Sequence, residues 1–271
     1  MFRRPWFSML VAGVAALVLV GCSESSGTKT HGVYLVNEGQ LTVCTHLPYK
    51  PFEFTNKQGE IVGFDVDMID LLAEKLGVET KVISVAWNTV TSGAVLKADK
   101  CDLAMGGATI TQERAQTVQF SKPYFESTQA LMTQTGSGIQ KLADLKGQKL
   151  GVQTETTGKR YAEAQQAQHG YKLVIFDDLA LETSAVSAGK VAASMGDRSA
   201  LVPYVRDHPE AHLVQQLETG ERYGFIAQKN NANADKLLAK LNKVIAKARD
   251  NGTYDKLMRK WFGQTSERAG S

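Results

Sequence analysis

The sequence predicts an α/β fold built from two successive sets of strand and helix units, and three observations carry that prediction. From Gln40 onward, short apolar runs alternate with segments whose apolar residues recur at helical spacing. The pattern restarts near Gln129. With 271 residues, 43% of them hydrophobic and 22% charged, the chain can bury a core in one large domain or in two smaller ones.

The elements follow in order. Leu41 to Leu47 reads as a strand, and Asp65 to Leu76 as a helix with Met68, Leu71, Leu72 and Leu76 on one stripe. Asp65 or Asp67 marks its start and Gly77 its stop. Lys81 to Val85 is the next strand, Thr89 to Ala98 a short helix, and Asp102 to Met105 a strand that runs into Gly106-Gly107. Thr111 opens another helix. The second set comprises strands at Gln129 to Thr133, Lys149 to Gln153, Leu173 to Phe176 and Val191 to Met195. Helices at Gly158 to Gln168, Leu179 to Ala188 and Ser199 to Asp207 alternate with them. A strand at Tyr223 to Ala227 follows, then an amphipathic helix from Asp235 to Arg249 with Leu237, Leu238, Leu241, Val244 and Ile245 on one face. Asn251-Gly252 breaks it, and a helix from Tyr254 to Trp261 closes the fold.

Ahead of these elements, Arg3 and Arg4 precede an uncharged run from Trp6 to Gly21 and then Cys22. The run is short for a membrane span, which needs about 20 apolar residues, and it has the layout of a secretory signal. Leu19-Val20-Gly21-Cys22 resembles the bacterial lipobox, whose cysteine is lipidated and becomes the first residue after cleavage. Residues 1–21 are thus expected to be a signal peptide and 22–31, small and polar, a lipid-anchored tether. An uncleaved anchor or a soluble secreted chain are the alternatives. Without Arg3 and Arg4 the remaining 29 Lys and Arg face 28 Asp and Glu, which gives no global signature of nucleic-acid binding. Cys44 and Cys101 remain, and outside the cytoplasm they form either a disulfide or two buried thiols.

Gly106 to Arg114, GGATITQER, is the most informative stretch. Ligands of open α/β sheets bind outside the carboxyl ends of strands. With Thr111 as N-cap, Arg114 falls in the first helical turn, where free N–H groups and a guanidinium can converge on a carboxylate. The plain alternative is a surface arginine. Val152 to Gly158 repeats the arrangement of strand, hydroxyls and glycine. Asp197 stands at the exit of an apolar strand, as a helix cap or as a ligand group. The five histidines are scattered and no Cys or His pair has ligand spacing, so neither a metal site nor a cofactor is expected. No nucleophile and base set and no phosphate loop of the G-x-x-x-x-G-K-[ST] type is visible.

The runs GFDVDM (63–68), ATITQERAQTVQFSKPYF (108–125), GVQTETTG (151–158) and NGTYDKLMRKWFG (251–263) occur in order. Together they resemble the polar amino-acid-binding proteins of bacterial ABC importers, family 3 of the extracellular solute-binding proteins. The resemblance implies a two-lobed clamp of the periplasmic-binding-protein type, each lobe a mostly parallel sheet flanked by helices, joined by two hinge strands. Lobe 1 is expected at 32–127 plus 223–271 and lobe 2 at 128–222. It further implies that Arg114 grips a ligand α-carboxylate, that Gly107 and Thr109 line the same pocket, and that Thr156 and Thr157 support the carboxylate. Asp197 receives the α-ammonium, and Tyr49 and Trp87 form aromatic walls.

By the same resemblance the partners are a small amino acid, an importer permease with its ATPase, and the membrane through Cys22; the protein is a monomer. Many relatives carry an acidic residue where this chain has His46, which weakens the case for a cationic ligand. Glu155 replaces a glycine in the hydroxyl turn, and facing the pocket it disfavours an acidic one. A neutral polar amino acid such as glutamine is the resulting expectation. Two rivals stand beside this binding role. One is an enzyme resembling cyclohexadienyl dehydratases, in which Lys159 takes the position of the acid and Glu155 is its substitute. The other is a ligand-binding sensor module.

Overall fold

The computed structural model describes Phe2 and residues 29–263. The expected signal segment beyond Phe2, Cys22 and most of the tether lie outside the described residues. The chain opens with a small antiparallel pair, β1 (Lys29–Thr30) and β2 (Val33–Tyr34). Then follow β3 (Gln40–Thr45), β4 (Phe54–Thr55), β5 (Ile61–Val62), α1 (Phe64–Leu76), β6 (Glu79–Ser84), α2 (Trp87–Thr91) and α3 (Ala94–Lys97). β7 (Leu103–Ala104), α4 (Arg114–Thr117) and β8 (Val118–Phe120) come next, and β9 (Phe125–Gln134) leads to the second sheet. There a 3₁₀ turn precedes β10 (Lys149–Gln153), α5 (Thr157–His169), β11 (Lys172–Phe176), α6 (Leu179–Ser187), β12 (Ala193–Asp197) and α7 (Arg198–Asp207). β13 (Ala211–Tyr223) returns, and β14 (Ile226–Gln228), α8 (Ala232–Asp250) and α9 (Thr253–Phe262) end the fold.

Two five-stranded sheets form the two lobes. The first has the order β6-β3-β7-β14-β8, with β3 parallel to β6 and β7 and with β14 antiparallel to both its neighbours. The second has the order β11-β10-β12-β9-β13, with β10 parallel to β11 and β12 and with β9 antiparallel to β12 and β13. Burial of apolar faces explains the layers: Leu237, Leu238, Leu241, Val244 and Ile245 of α8 pack with Phe64, Met68, Ile69 and Leu72 of α1 in the core of the first lobe. Leu131, Leu150, Val152, Ala162 and Met195 form a separate core in the second.

β9 and β13 are the two hinge strands. Phe125 and Tyr223, at their ends, belong to the first core, whereas Leu131 and Leu217 belong to the second. Their ladder slips between Leu217 and Glu221, a bulge of the kind that bends and twists a strand. Cys44 on β3 is bonded to Cys101, just before β7, with Cα atoms 5.8 Å apart.

Several local expectations are corrected. The first strand stops at Thr45 rather than Leu47, and the ring of the next residue, His46, lies against the Val85 carbonyl. The helix expected at 89–98 is split into α2 and α3 by Gly93 in the left-handed region. α1 begins on Gly63 with no side-chain cap, and Asp65 points inward instead. Thr111 opens no full helix: α4 is one turn, although the Thr111 hydroxyl accepts the Arg114 N–H. The strand expected at 223–227 is two strands parted at Gly224-Phe225, and the long β13 had no counterpart among the expectations.

Candidate functional site

The strand exits of both sheets converge on one cleft with about 570 Å³ of atom-free space, part of it open to solvent. His46, Tyr49, Trp87, Gly107, Thr109 and Arg114 line it from the first lobe, and Thr156, Thr157 and Asp197 from the second. Of the residues expected to meet an amino-acid ligand, Glu155 alone fails to line it with its side chain, which is exposed. Glu155 takes a left-handed backbone (φ 56°), and its carbonyl oxygen, not its carboxylate, reaches across the cleft. Lys159 is also outside: it pairs with Glu163 one helical turn on.

Arg114 is 4% exposed. Its Nη1 donates to the Thr109 carbonyl at 2.9 Å and its Nη2 to the Glu155 carbonyl at 2.8 Å, while Nε is buried without a partner. Trp87 lies under the guanidinium, 5.5 Å from the ring centroid, and donates its own N–H to the same Glu155 carbonyl. Burial works against the arginine's charge, and Arg160 adds to this; Asp197 and Glu221 favour the charge. The guanidinium stays protonated.

Asp197 is the residue before α7, yet its side chain makes no cap to that helix. Oδ2 accepts the Tyr223 hydroxyl at 2.7 Å and also the Tyr49 hydroxyl, and Oδ1 accepts an N–H of Gln129. The carboxylate therefore belongs to the cleft. Burial, then the charge of Asp197, raises the Tyr49 pKa well above its usual value, so the phenol is a donor.

In the hydroxyl turn, Thr156 caps α5: its hydroxyl accepts the Lys159 N–H at 3.1 Å and donates to the Gln153 carbonyl at 2.7 Å. That hydroxyl is committed to the fold, and Thr157 is left at the first helical position, where anions are favoured. The N–H groups of Gly106 and Gly107 are likewise engaged, both donating to the Asp65 carboxylate at 3.2 Å. The two glycine N–H groups are thus not free for an anion beside Arg114.

Four buried groups escaped the sequence reading. Gln129 on β9 donates to Asp197, to Glu221 at 3.0 Å and to Thr157 at 3.4 Å. Glu221 on β13 also accepts the Thr109 hydroxyl at 3.0 Å, and burial raises its pKa to about 7. Glu53 and Glu182, both 0% exposed, line the cleft with carboxylate oxygens that have no hydrogen-bond partner. Only Glu53 carried a signal, sitting in the run Pro51-Phe52-Glu53-Phe54.

Comparison with known proteins agrees with the geometry. The chain is 29% identical over 262 residues to the arginine-binding extracellular protein ArtP of Bacillus subtilis, covering 96% of this chain and 98% of that one. It is 32% identical over 261 residues to the L-cystine-binding protein TcyJ of Escherichia coli, covering 93% and 94%. An ancestral arginine-binding protein bound to arginine superposes with a TM-score of 0.77 at 35% identity, covering 83% of this chain and 99% of the other. Residues 41–264 match the family of bacterial extracellular solute-binding proteins, family 3, and the chain belongs to it.

Proposed function

We propose that the protein captures a polar amino acid between its lobes and presents the closed form to an ABC importer, a permease with its ATPase. One observation carries the reading: Arg114 and Asp197, from opposite lobes, face the same cleft. A zwitterion must lose water from two charges, which costs several kcal/mol per ion and is recovered only against close opposite charges. Arg114 takes the α-carboxylate with Thr157, Gly107 and Thr109 around it, and Asp197 takes the α-ammonium. Tyr49 and Trp87 sandwich the aliphatic part. Because the two charged groups sit on different lobes, ligand binding and hinge closure are one event.

The relatives support an amino acid as ligand, since those reported above are named for arginine and cystine. Glutamine, the expectation from sequence, rested on His46 and Glu155, and the Glu155 side chain is exposed and bears on the choice no longer. The working division is lobe 1 at 32–127 plus 223–271 and lobe 2 at 128–222, acting as a monomer. Cys22 is the proposed site of lipidation, after removal of residues 1–21. An extracytoplasmic setting fits the Cys44–Cys101 bond, and among the described residues no helix is long and apolar enough to cross a membrane. A thermal-shift screen of the twenty amino acids tests the proposal. A shift of several degrees for a polar amino acid supports it; no shift with any of them, together with turnover of prephenate or arogenate, overturns it in favour of the enzyme.

A further inference from the structure

Several buried acceptors of the cleft have needs the protein does not meet: beside Glu53 and Gln129 Oε1 stand Glu182 and His46. Glu182, on α6, borders the cleft beside Gln153, Leu179 and Met195, and neither of its oxygens has a partner at ordinary hydrogen-bond geometry, the Ser194 hydroxyl being the one polar side chain that interacts favourably with it. Its stem lies over β10, where a Cβ added to Gly151 would stand 3.4 Å from Glu182 Cγ. The second acceptor is His46. Its Nδ1 lies 2.9 Å from the Val85 carbonyl, which can only accept, so Nδ1 carries the proton and Nε2 of the neutral ring holds a lone pair. That Nε2 is buried and unpartnered. Buried polar atoms are nearly always satisfied, and several unsatisfied acceptors in one cleft point to a donor-rich guest.

We propose that Glu182 is the specificity-determining residue for the ligand's side chain: it receives a cationic, N–H-rich head group, with His46 Nε2 accepting a further N–H, and releases its own proton to solvent when that cation arrives. The inference rests on the amino-acid reading above and adds the side-chain class and the residue that selects it. The charges then balance pairwise. Arg114 meets the α-carboxylate, Asp197 the α-ammonium, and ionised Glu182 the side-chain cation.

The surroundings of Glu182 favour a neutral carboxyl before the ligand enters. Burial raises its pKa well above the usual range, and the charges of Asp197 on β12 and Asp178 before α6 raise it further, with Ser194 opposing. The other charged residues of the elements packed on α6 are Glu126 of β9, Lys149 of β10 and Lys172 of β11, all exposed, with half-buried Arg198 and exposed Arg206 and Asp207 of α7. Among the described residues no cation pairs with Glu182. A guanidinium or ammonium brought by the ligand supplies that charge, and the carboxyl O–H bond breaks to give carboxylate and a free proton.

Calorimetric titration with arginine and with glutamine, in buffers of different ionisation enthalpy, tests the proposal. Arginine is expected to bind at least about 10-fold more tightly than glutamine and to release up to about one proton per ligand. Glu182→Gln is expected to weaken arginine binding by about 30-fold or more, to leave glutamine within about 3-fold, and to abolish the release. Binding of glutamine but not arginine, arginine binding without proton release, or unchanged arginine affinity in the variant would each overturn this inference and leave the amino-acid reading standing. No binding of any amino acid overturns both. The proton count on the unmodified protein decides the matter even where the variant does not fold.

Discussion

Arg114 and Glu155 meet across the cleft, the guanidinium Nη2 lying 2.8 Å from the glutamate's carbonyl oxygen. The contact joins the lobe that carries the cation to the hydroxyl turn of the other lobe, and it is made by backbone, so the identity of the side chain at 155 does not enter it. Trp87 donates to the same oxygen at 3.2 Å. One carbonyl thus pins two first-lobe walls of the pocket. The exposed pairs Lys50–Asp207 and Arg160–Glu113 also cross between the lobes, but surface ion pairs contribute little.

Arg114→Ala and Asp197→Ala are each expected to weaken ligand binding by at least about 2 kcal/mol, because each strands the opposite charge of a desolvated pair. Arg114→Lys is expected to recover only part of the loss, since an ammonium lacks the planar fork. Calorimetric titration with the amino acid found by screening measures all three, and near-native affinity in either alanine variant refutes the assignment.

Folding stability is expected to fall as the pH rises from about 5 to 8. Glu221 has its pKa raised to about 7, and Asp65 and Asp102 to about 6, so the folded protein holds more protons than the unfolded chain in this range. The stabilisation is complete below the ordinary carboxylate pKa and is lost on passing through the folded one. Urea unfolding at a series of pH values reads the slope, which Glu221→Gln is expected to flatten between pH 5 and 8. A stability that climbs over that range would show that these carboxyls are not protonated in the fold.

Removal of the disulfide, as Cys44→Ala with Cys101→Ala, is expected to destabilise the protein by about 2–4 kcal/mol. The bond closes a stretch of 57 residues and ties β3 to the start of β7, which feeds the Gly106-Gly107 turn. Denaturant midpoints of oxidised and variant protein make the comparison. Identical midpoints would mean that the two cysteines matter only as packed side chains.

Gly107→Ala is expected to cost ligand affinity more than stability. Its φ of 54° suits glycine, and an added Cβ would lie 2.6 Å from Tyr49 Cε1 and 3.1 Å from Tyr223 Cε2. Both tyrosines donate to Asp197, so the methyl group displaces the partners of the proposed ammonium site. Parallel thermal melts and titrations separate the two effects; a loss of stability with unchanged affinity contradicts the expectation.

The sequence made the alternating units legible because most of them are buried runs with glycine or polar punctuation, as at Lys149–Gln153 and Ala193–Asp197. β13 stayed hidden for a physical reason. It is an edge strand, most of its residues are partly exposed, and Gln215, Gln216, Glu218 and Glu221 leave no apolar run to detect. In the site, Arg114 and Asp197 were readable because each follows a strand exit at a spacing the family shares. Gln129, Glu182 and Glu221 were not, since a polar residue within a strand or helix looks solvent-facing until tertiary structure buries it. The bland reading of Asp197 as a helix cap failed only when its three partners were seen.

Gln129 and Tyr223 sit on the two strands that join the lobes, and both donate to Asp197 in the cleft, while Glu221 braces Gln129 from the same pair of strands. In the clamp proposed above, the side chains that sense a guest and those that swing the halves together would then be the same few. A substitution there cannot alter grip while sparing motion, so variants selected for a new cargo would also change how often the jaws shut unaided.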